Sequence, residues 1–316
     1  VQGVILAAGK GTRLRPVTET RSKAMAPVAG KPMVARVMDM LCANGVRDVV
    51  LVVSPADRAI RSYFADHTPP DASIQFVEQN ARLGMANALS LAAPHLQGDF
   101  VLSACDNLTS TAHVADLLAT HHMQGTGATL SLMQIELAQV SSTGVVELHD
   151  GRIRRIVEKP TPAAAPSTLA SLPLYVFSPR ILAYLADVRP SPRGEYELQD
   201  AIQRLIDTDG PISGVFTPNR RQLTNVDDLL ALNRHYLQAE QGQRCTAPKH
   251  VGANTQLIAP ICIADDVSIG ANCVIGPNVV IECNCHIGDC VQMRDAVVLR
   301  GNRIADQQQI SQRVVV

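Results

Sequence analysis

From the start of the chain to about residue 235, apolar and polar positions follow two alternating rhythms. Val4 to Ala8, Val49–Val53 and Phe100–Leu102 are short apolar runs with the length of buried strands. Pro32–Ala43 and Ala112–Thr120 read instead as helices. Strand-like runs alternating with helical runs predict an α/β domain with a largely parallel sheet. Another helix is expected over Val226 to Gln241, and Gly242 to Pro248 reads as a linker. Thr161 to Ser171, rich in Pro and Ala, reads as a surface loop. Beyond the linker the rhythm changes. An aliphatic residue or Met recurs at every sixth position: Val251, Leu257, Ile263, Ile269, Ile275, Ile281, Ile287, Met293 and Leu299. Such a fixed period marks a repeat architecture.

Composition sharpens this picture. A chain of 316 residues with 46% hydrophobic content can bury a large core and hold two domains. The expected division is 1–241, a linker over 242–250, and 251–316. A net charge of −1 leaves no basic footprint for nucleic acid. Aromatics at 3%, with Trp absent, argue against base-stacking platforms for single strands. No apolar run approaches membrane-spanning length, and no signal-peptide pattern opens the chain, so no membrane partner is expected. Eight cysteines without a secretory signal point to reduced thiols in a cytoplasm.

The cationic residues carry the first chemical clue. The chain has 23 Arg against 5 Lys, and Lys10, Lys23, Lys31 and Lys159 fall in two short segments. Solvated surface lysines are the ordinary case, but these have unusual neighbours. Gly9-Lys10-Gly11-Thr12-Arg13-Leu14 follows the first apolar run. Glycines there free the backbone for tight turning and close ligand approach, and successive N–H groups can form an anion nest. The loop is not a P-loop, which needs G-x-x-x-x-G-K-[ST]. Nor is it a dinucleotide fingerprint, because Leu14 stands where a third glycine belongs.

The longer string L-A-A-G-x-G-T-R-L-x-P-x-T…K-x-M-x-P-V…K-P-M resembles the signature of sugar-1-phosphate nucleotidylyltransferases. The likeness is to glucose-1-phosphate thymidylyltransferases and their uridylyltransferase relatives, and it covers roughly residues 1 to 235. Further matches follow in order: Glu78-Gln79 with Gly84, Cys105-Asp106-Asn107, Gly144-Val145-Val146-Glu147, Glu158-Lys159-Pro160, and Pro190 to Glu195. The resemblance implies a Rossmann-like open, mostly parallel α/β sheet. The hexads resemble left-handed parallel β-helices, in which three hexads make one coil; nine hexads then give about three coils. Exposed strand edges at the last coil and the terminal Val314-Val315-Val316 predict a homo-oligomer formed through the repeats. The first domain is expected to work without the tail, at some loss of stability.

The implied reaction joins a nucleoside triphosphate to a sugar-1-phosphate and releases pyrophosphate. The resemblance assigns Arg13 to the triphosphate, Lys23 to the phosphates near the reacting centre, and Lys159 to the sugar phosphate. Glu158 would accept from sugar hydroxyls, Gly144 would offer backbone contact to the sugar, and Tyr175 would line the same pocket. The loop residues Gly9, Gly11 and Thr12 would hold the nucleotide. Gln79 would read the base, with the backbone of Ala7, Ala8 and Gly84 completing its pocket. Family members carrying Gln here choose uracil or thymine; those two differ by one methyl, worth only about 1–3 kcal/mol of discrimination. Asp106, beyond the Phe100–Leu102 strand, would hold Mg²⁺; an aspartate there also commonly caps a helix.

Some positions depart from the family pattern. The second metal ligand falls in Leu223-Thr224-Asn225-Val226-Asp227-Asp228, where Asn225 or Asp227 could serve and Asp228 would cap or begin the helix. Ser171 to Tyr175 lacks the usual glycine, and Thr143 replaces a tyrosine, so the sugar pocket is altered. Cys283-x-Cys285 lacks structural-zinc spacing; the tail cysteines read as small packed side chains. Two other readings stay open: a bifunctional enzyme whose tail acetylates an amino sugar, disfavoured by the short tail, and a catalytically silent nucleotide-binding subunit, disfavoured by Arg13, Lys23, Asp106 and Lys159.

Overall fold

The computed structural model describes residues 1–240 and 248–316; residues 241–247, which include most of the expected linker, lie outside the described residues. The chain divides into two compact units that do not follow its linear order. The first comprises Val1–Gly9 and Val34–Arg221, and the second Lys10–Met33 and Gln222–Val316.

In the first unit, nine strands form one sheet. They are β1 (Gln2–Leu6), β2 (Asp48–Val53), β3 (Ser73–Glu78), β4 (Phe100–Ala104), β5 (Ala128–Gln134), β6 (Gly144–His149), β7 (Arg152–Glu158), β8 (Leu169–Phe177) and β9 (Ser213–Phe216). The main order is β7-β6-β8-β4-β1-β2-β3; β5 also pairs with β8, and β9 with β5. The pairs among β1, β2, β3 and β4 are all parallel. β8 runs antiparallel to its neighbours, and β6 and β7 form an antiparallel pair. The predicted parallel α/β domain is therefore present with an antiparallel extension. The expected loop over Thr161 to Ser171 is cut short, because β8 begins at Leu169 and buries Ser171. Pairing on both sides of β8 overrides the loop-like composition.

Helices cover the sheet for reasons visible in their sequence. α1 (Met33–Cys42) fully buries Met33, Val34, Val37, Met38 and Leu41, a stripe at helical spacing. α2 (Arg58–His67) is capped by the Asp57 carboxylate, which accepts from Ile60 N at 3.4 Å. α3 (Met85–Ala92) begins at Gly84. α4 (Thr111–Gln124) is capped by Ser110, accepting from His113 N at 3.2 Å, and ends at Gly125 with φ 58°. α5 (Leu198–Asp209) buries Leu198, Ala201, Ile202, Leu205 and Ile206. Phe100, Tyr175 and Phe177 pack between these layers, with Phe177 5.6 Å from each of the other two rings.

The second unit is built on parallel ladders from three short strand positions per turn of the chain. Ile263 pairs with Ile281, Ile269 with Ile287, and Ile275 with Met293, each 18 residues apart. The next step is 17: Ile281 pairs with Val298, Ile287 with Ile304, and Met293 with Ile310. One residue is missing from the third turn, so Val298 rather than Leu299 takes the stacking position. Stacking then continues through Ile304, Ile310 and, after a second step shortened to five residues, Val315, adding a fourth rung beyond the three coils predicted. The Gln-rich Gln307 to Gln312 segment is part of that rung, since Gln309–Val315 is a strand. Left-handed backbone corners also stack in columns: Asn254, Asn272, Cys290 and Gln307 all have φ between 57° and 62°. Cys290 thus occupies a corner, and Cys273 and Cys285 are buried inside the coil.

α6 (Val226–Ala239) belongs to this unit. So does the segment carrying Arg13 and Lys23, which ends in a hairpin of Pro27–Val28 and Lys31–Pro32.

Candidate active site

The strand order of the first unit reverses at β1: the chain runs outward through β2 and β3, then returns to place β4 on the other side. Leu6 pairs with Ala104, so the segments leaving β1 and β4 emerge side by side. Ligands of open α/β sheets settle beyond the carboxyl ends of strands at such a reversal. Ala7 and Ala8 lie there, buried, and a side chain at Gly9 would meet open space. Asp106, half-buried, follows β4 after one intervening residue. The strand runs two residues beyond the predicted Leu102 because Ser103 and Ala104 continue the pairing with β1.

Two further groups gather at this end. Gln79 follows β3 and is 5% exposed. Its Nε2 donates to the Gly84 carbonyl at 3.2 Å and to Asn87 Oδ1 at 2.9 Å. Both amide hydrogens are thereby used, and Oε1 remains an acceptor. Gly84 has φ 102°, and a Cβ there would sit 2.5 Å from the Tyr196 carbonyl oxygen, so only glycine fits. Arg82, which carried no motif, donates from Nε to the Ala8 carbonyl at 2.7 Å and from Nη2 to Ser54 Oγ at 3.1 Å. It fastens the β1 exit to the loop after β3.

A second cluster is built on the β6–β7 pair, which sets Gly144 opposite Glu158. A Cβ on Gly144 would lie 3.2 Å from both Glu158 Oε2 and Gln199 Nε2. Glu158 Oε2 and Gln199 Oε1 are buried and have no hydrogen-bond partner. Glu158 Oε1 stands 3.2 Å from Lys159 Nζ and 3.8 Å from Arg193 Nη2; Arg193 in turn bonds Glu197 Oε1 at 2.7 Å. Burial pushes the Glu158 carboxyl above its ordinary range, Lys159 and Arg193 oppose the shift, and Glu197 adds to it. Lys159 itself has φ 46°, a left-handed conformation costly for a residue with a side chain, and its N–H donates to the Thr143 carbonyl at 3.0 Å. Such conformations persist where surrounding structure enforces them, and they cluster at functional sites. Gln199 was not foreseen; it is the second residue of an ordinary-looking amphipathic helix, α5.

Tyr175 departs from expectation. It is fully buried, its hydroxyl 2.8 Å from Ser171 Oγ, and burial drives its pKa far upward. It cannot line a pocket; it backs the cluster from the core, beside Gln199.

The other expected residues belong to the second unit. Gly11 has φ 64°, and a Cβ there would meet Lys23 Cβ at 2.8 Å, so the glycine lets the loop close on Lys23. Thr18 Oγ1 donates to the Gly11 carbonyl at 2.9 Å. Thr12 and Arg13 are exposed on the turn Thr12–Leu14, anchored by the buried Leu14. Asn225 is the N-cap of α6: its Oδ1 accepts from Asp228 N at 2.9 Å, while Asp228 Oδ2 accepts from Thr224 N and Asn225 N. Asp228 therefore closes the capping box rather than being the cap residue. Asp227 is exposed in the first turn.

Among the described residues no three His, Cys, Asp or Glu side chains group as a metal cage. Mg²⁺ typically keeps several waters and uses one or two protein carboxylates plus substrate phosphates. A single half-buried aspartate at the sheet's reversal point fits that mode of binding.

Residues 2–239 match the nucleotidyl transferase family, and residues 257–316 match the GMPPB C-terminal domain. The chain belongs to the nucleotidyl transferase family. It is 30% identical to a glucose-1-phosphate thymidylyltransferase of Streptomyces griseus, over 100% of this chain and 92% of that protein. It is 35% identical to the UTP–glucose-1-phosphate uridylyltransferase AglF of Haloferax volcanii, over 65% of this chain and 84% of that protein. In fold it is similar to a UDP-glucose pyrophosphorylase solved with UDP-glucose (TM-score 0.68, 21% identity, 75% of this chain and 98% of that one). No helix among the described residues is long and apolar enough to cross a membrane.

Proposed function

We propose that this protein transfers a nucleotidyl group from UTP or dTTP to a sugar-1-phosphate, with glucose-1-phosphate as the first candidate. A phosphate oxygen of the sugar phosphate attacks the α-phosphorus, the bond to the bridging oxygen breaks, and pyrophosphate leaves. Alignment of two anions and neutralisation of charge supply most of the rate. The observation that carries the reading is the Gly144 socket. The buried, unpartnered Glu158 Oε2 and the amide of Gln199, whose Oε1 is also buried without a partner, flank a Cα without a side chain, and two cations stand beside Glu158 Oε1. Unpartnered buried acceptors are costly unless donors arrive; sugar hydroxyls are such donors, and Lys159 suits the phosphate.

On the nucleotide, Gln79 Oε1 accepts from the imide N–H that uracil and thymine present and cytosine lacks. Ala7, Ala8 and Gly84 surround the base, while Gly9, Gly11 and Thr12 offer backbone to the phosphates. Arg13 and Lys23 neutralise the triphosphate. Asp106 would hold Mg²⁺, with Asp227 or Asn225 as second ligand; Asp227 is favoured because the Asn225 oxygen already caps α6. When bound, the ion supplies charge neutralisation between phosphate oxygens. Residues 1–241 form the catalytic domain, and 251–316 a left-handed β-helix that mediates a homo-oligomer. The test is a pyrophosphate-release screen over nucleoside triphosphates and sugar-1-phosphates. The expected result is Mg²⁺-dependent release with UTP or dTTP; preference for a purine triphosphate, or full activity in excess EDTA, counts against the reading.

A further inference from the structure

The segment Lys10–Met33 carries Arg13 and Lys23, and it is pinned to the C-terminal part of the chain at three points. The first is an ion pair. Arg21 Nη1 donates to Glu282 Oε1 at 2.8 Å, with side chains only 4% and 15% exposed. Glu282 directly follows the strand Val279–Ile281, and its other oxygen accepts from Arg300 N at 3.0 Å, on the next turn of the coil. The carboxylate is thus fixed by two turns of the coil before it meets the loop. The second pin is Asn233 on α6, 2% exposed. Its Oδ1 accepts from Ala29 N at 2.7 Å, and its Nδ2 donates to the Pro27 carbonyl at 2.9 Å. Ala29 and Gly30 both have positive φ, 46° and 74°, so the hairpin turn is one that Asn233 helps to hold. The third is a close approach: a Cβ on Gly30 would lie 2.7 Å from Cys262 Sγ.

Arg21 and Lys23 are two residues apart, joined by Ser22, whose hydroxyl is buried without a partner. Arg21 Nε is likewise buried and unpartnered. A guanidinium so enclosed needs its counter-charge, and Glu282 meets it from the coil. We infer that the coil is a working part of the transfer site: Glu282, through Arg21, positions the loop that presents Arg13 and Lys23. Glu282 is a positioning residue, remote in sequence from every motif that marks the chemistry. The inference rests on the proposed nucleotidyl transfer for its kinetic consequence, but the coupling itself is structural.

The test uses the full chain and two readouts. Glu282→Gln keeps the shape and the acceptor for Arg300 N but removes the charge. It is expected to lower kcat for pyrophosphate release about a hundredfold, the scale of a displacement of roughly 1 Å in a positioned group. KM for the sugar phosphate should stay within about twofold, because the Gly144 socket belongs to the other unit. Glu282→Asp should recover part of the loss. Arg21→Gln combined with Glu282→Gln should be no slower than the worse single variant, as for two residues acting through one contact. Arg234→Gln breaks a different link to the coil, the 3.1 Å pair with Asp295, and should leave kcat within about twofold. Independently, hydrogen exchange over residues 10–26 should speed up in Glu282→Gln while residues 100–104 stay protected. Unchanged exchange in the loop, a native kcat in Glu282→Gln, or an equal loss in Arg234→Gln would each overturn the inference. A wild-type chain that releases no pyrophosphate would instead remove the enzymatic reading, and the exchange result would still decide the coupling.

Discussion

Lys159 combines three features seldom found together: a left-handed backbone, a carboxylate neighbour at 3.2 Å and partial exposure. Its charge is held where it can meet a phosphate without heavy desolvation. Lys159→Ala is expected to lower kcat by at least about a hundredfold, the scale of a lost electrostatic contact in a transition state. The melting temperature should barely move; steady-state kinetics with calorimetry check both. Glu158 yields a pH prediction. Its pKa is raised, chiefly by burial, so acid protonates it sooner than an exposed glutamate and removes the acceptor proposed above for sugar hydroxyls. The ratio of wild-type to Glu158→Gln kcat/KM should therefore shrink as pH falls through the acidic range. Taking the ratio cancels the substrate's own ionisation. A ratio independent of pH would remove Glu158 from sugar binding. Most such residues were legible because their motifs place unusual types together, as in Glu158-Lys159-Pro160. Arg82 and Gln199 were not, since each is an unremarkable residue until the chain folds beneath it. Tyr175 was misread for the converse reason: a tyrosine beside a motif looks like a pocket wall, but β8 points it into the core.

At the scale of elements, α4 docks on β5 through two buried histidines. His113 Nε2 lies 2.7 Å from Ser131 Oγ, and His121 Nδ1 lies 3.2 Å from Thr129 Oγ1. Both are buried and both pKa values are lowered, first by desolvation, with Asp116 and Asp99 respectively pulling the other way. The unfolded chain therefore takes up protons first as pH falls through the ordinary value of 6.5. Stability from these groups is present above that value and is lost on acidification below it. The raised Glu158 acts with the opposite sign nearer its own range. The melting temperature should fall between about pH 7.5 and 5.5, as expected for buried neutral histidines. Scanning calorimetry should show a flatter profile in His113→Gln/His121→Gln; an equal slope would refute the assignment. Apolar runs were sufficient to locate β1, β2, β4 and α1, because each buries what its period displays. The coil's fourth rung escaped notice because one missing residue shifts the period from Met293 to Val298. A strict six-residue count ends where the shift occurs, whereas pairing tolerates it.

For the molecule as a whole, the coil's ends are unequal. Val251 and Leu257 open its first rung with 38% exposure each, and Val316 is 44% exposed at the last. Open ladders with apolar rungs favour pairing with another copy. Light scattering should report an oligomer for the full chain, and a variant carrying Lys at Val251 and Leu257 should shift toward monomer; a monomeric wild type would exclude this. The division into units was the least legible feature, since nothing local to Lys10–Met33 announces that its partners lie near the other terminus. That arrangement has a consequence for how the protein is made. Arg21 and Glu282 are 261 residues apart. At about 5–20 residues per second, the ribosome releases the loop roughly 13–50 s before its anchor exists. During that interval the nascent chain can fold its first sheet but has no counter-charge for Arg21. A premature stop before Glu282 would leave a chain with the Gly144 cluster complete and the loop of Arg13 and Lys23 held at Asn233 but without its charged anchor.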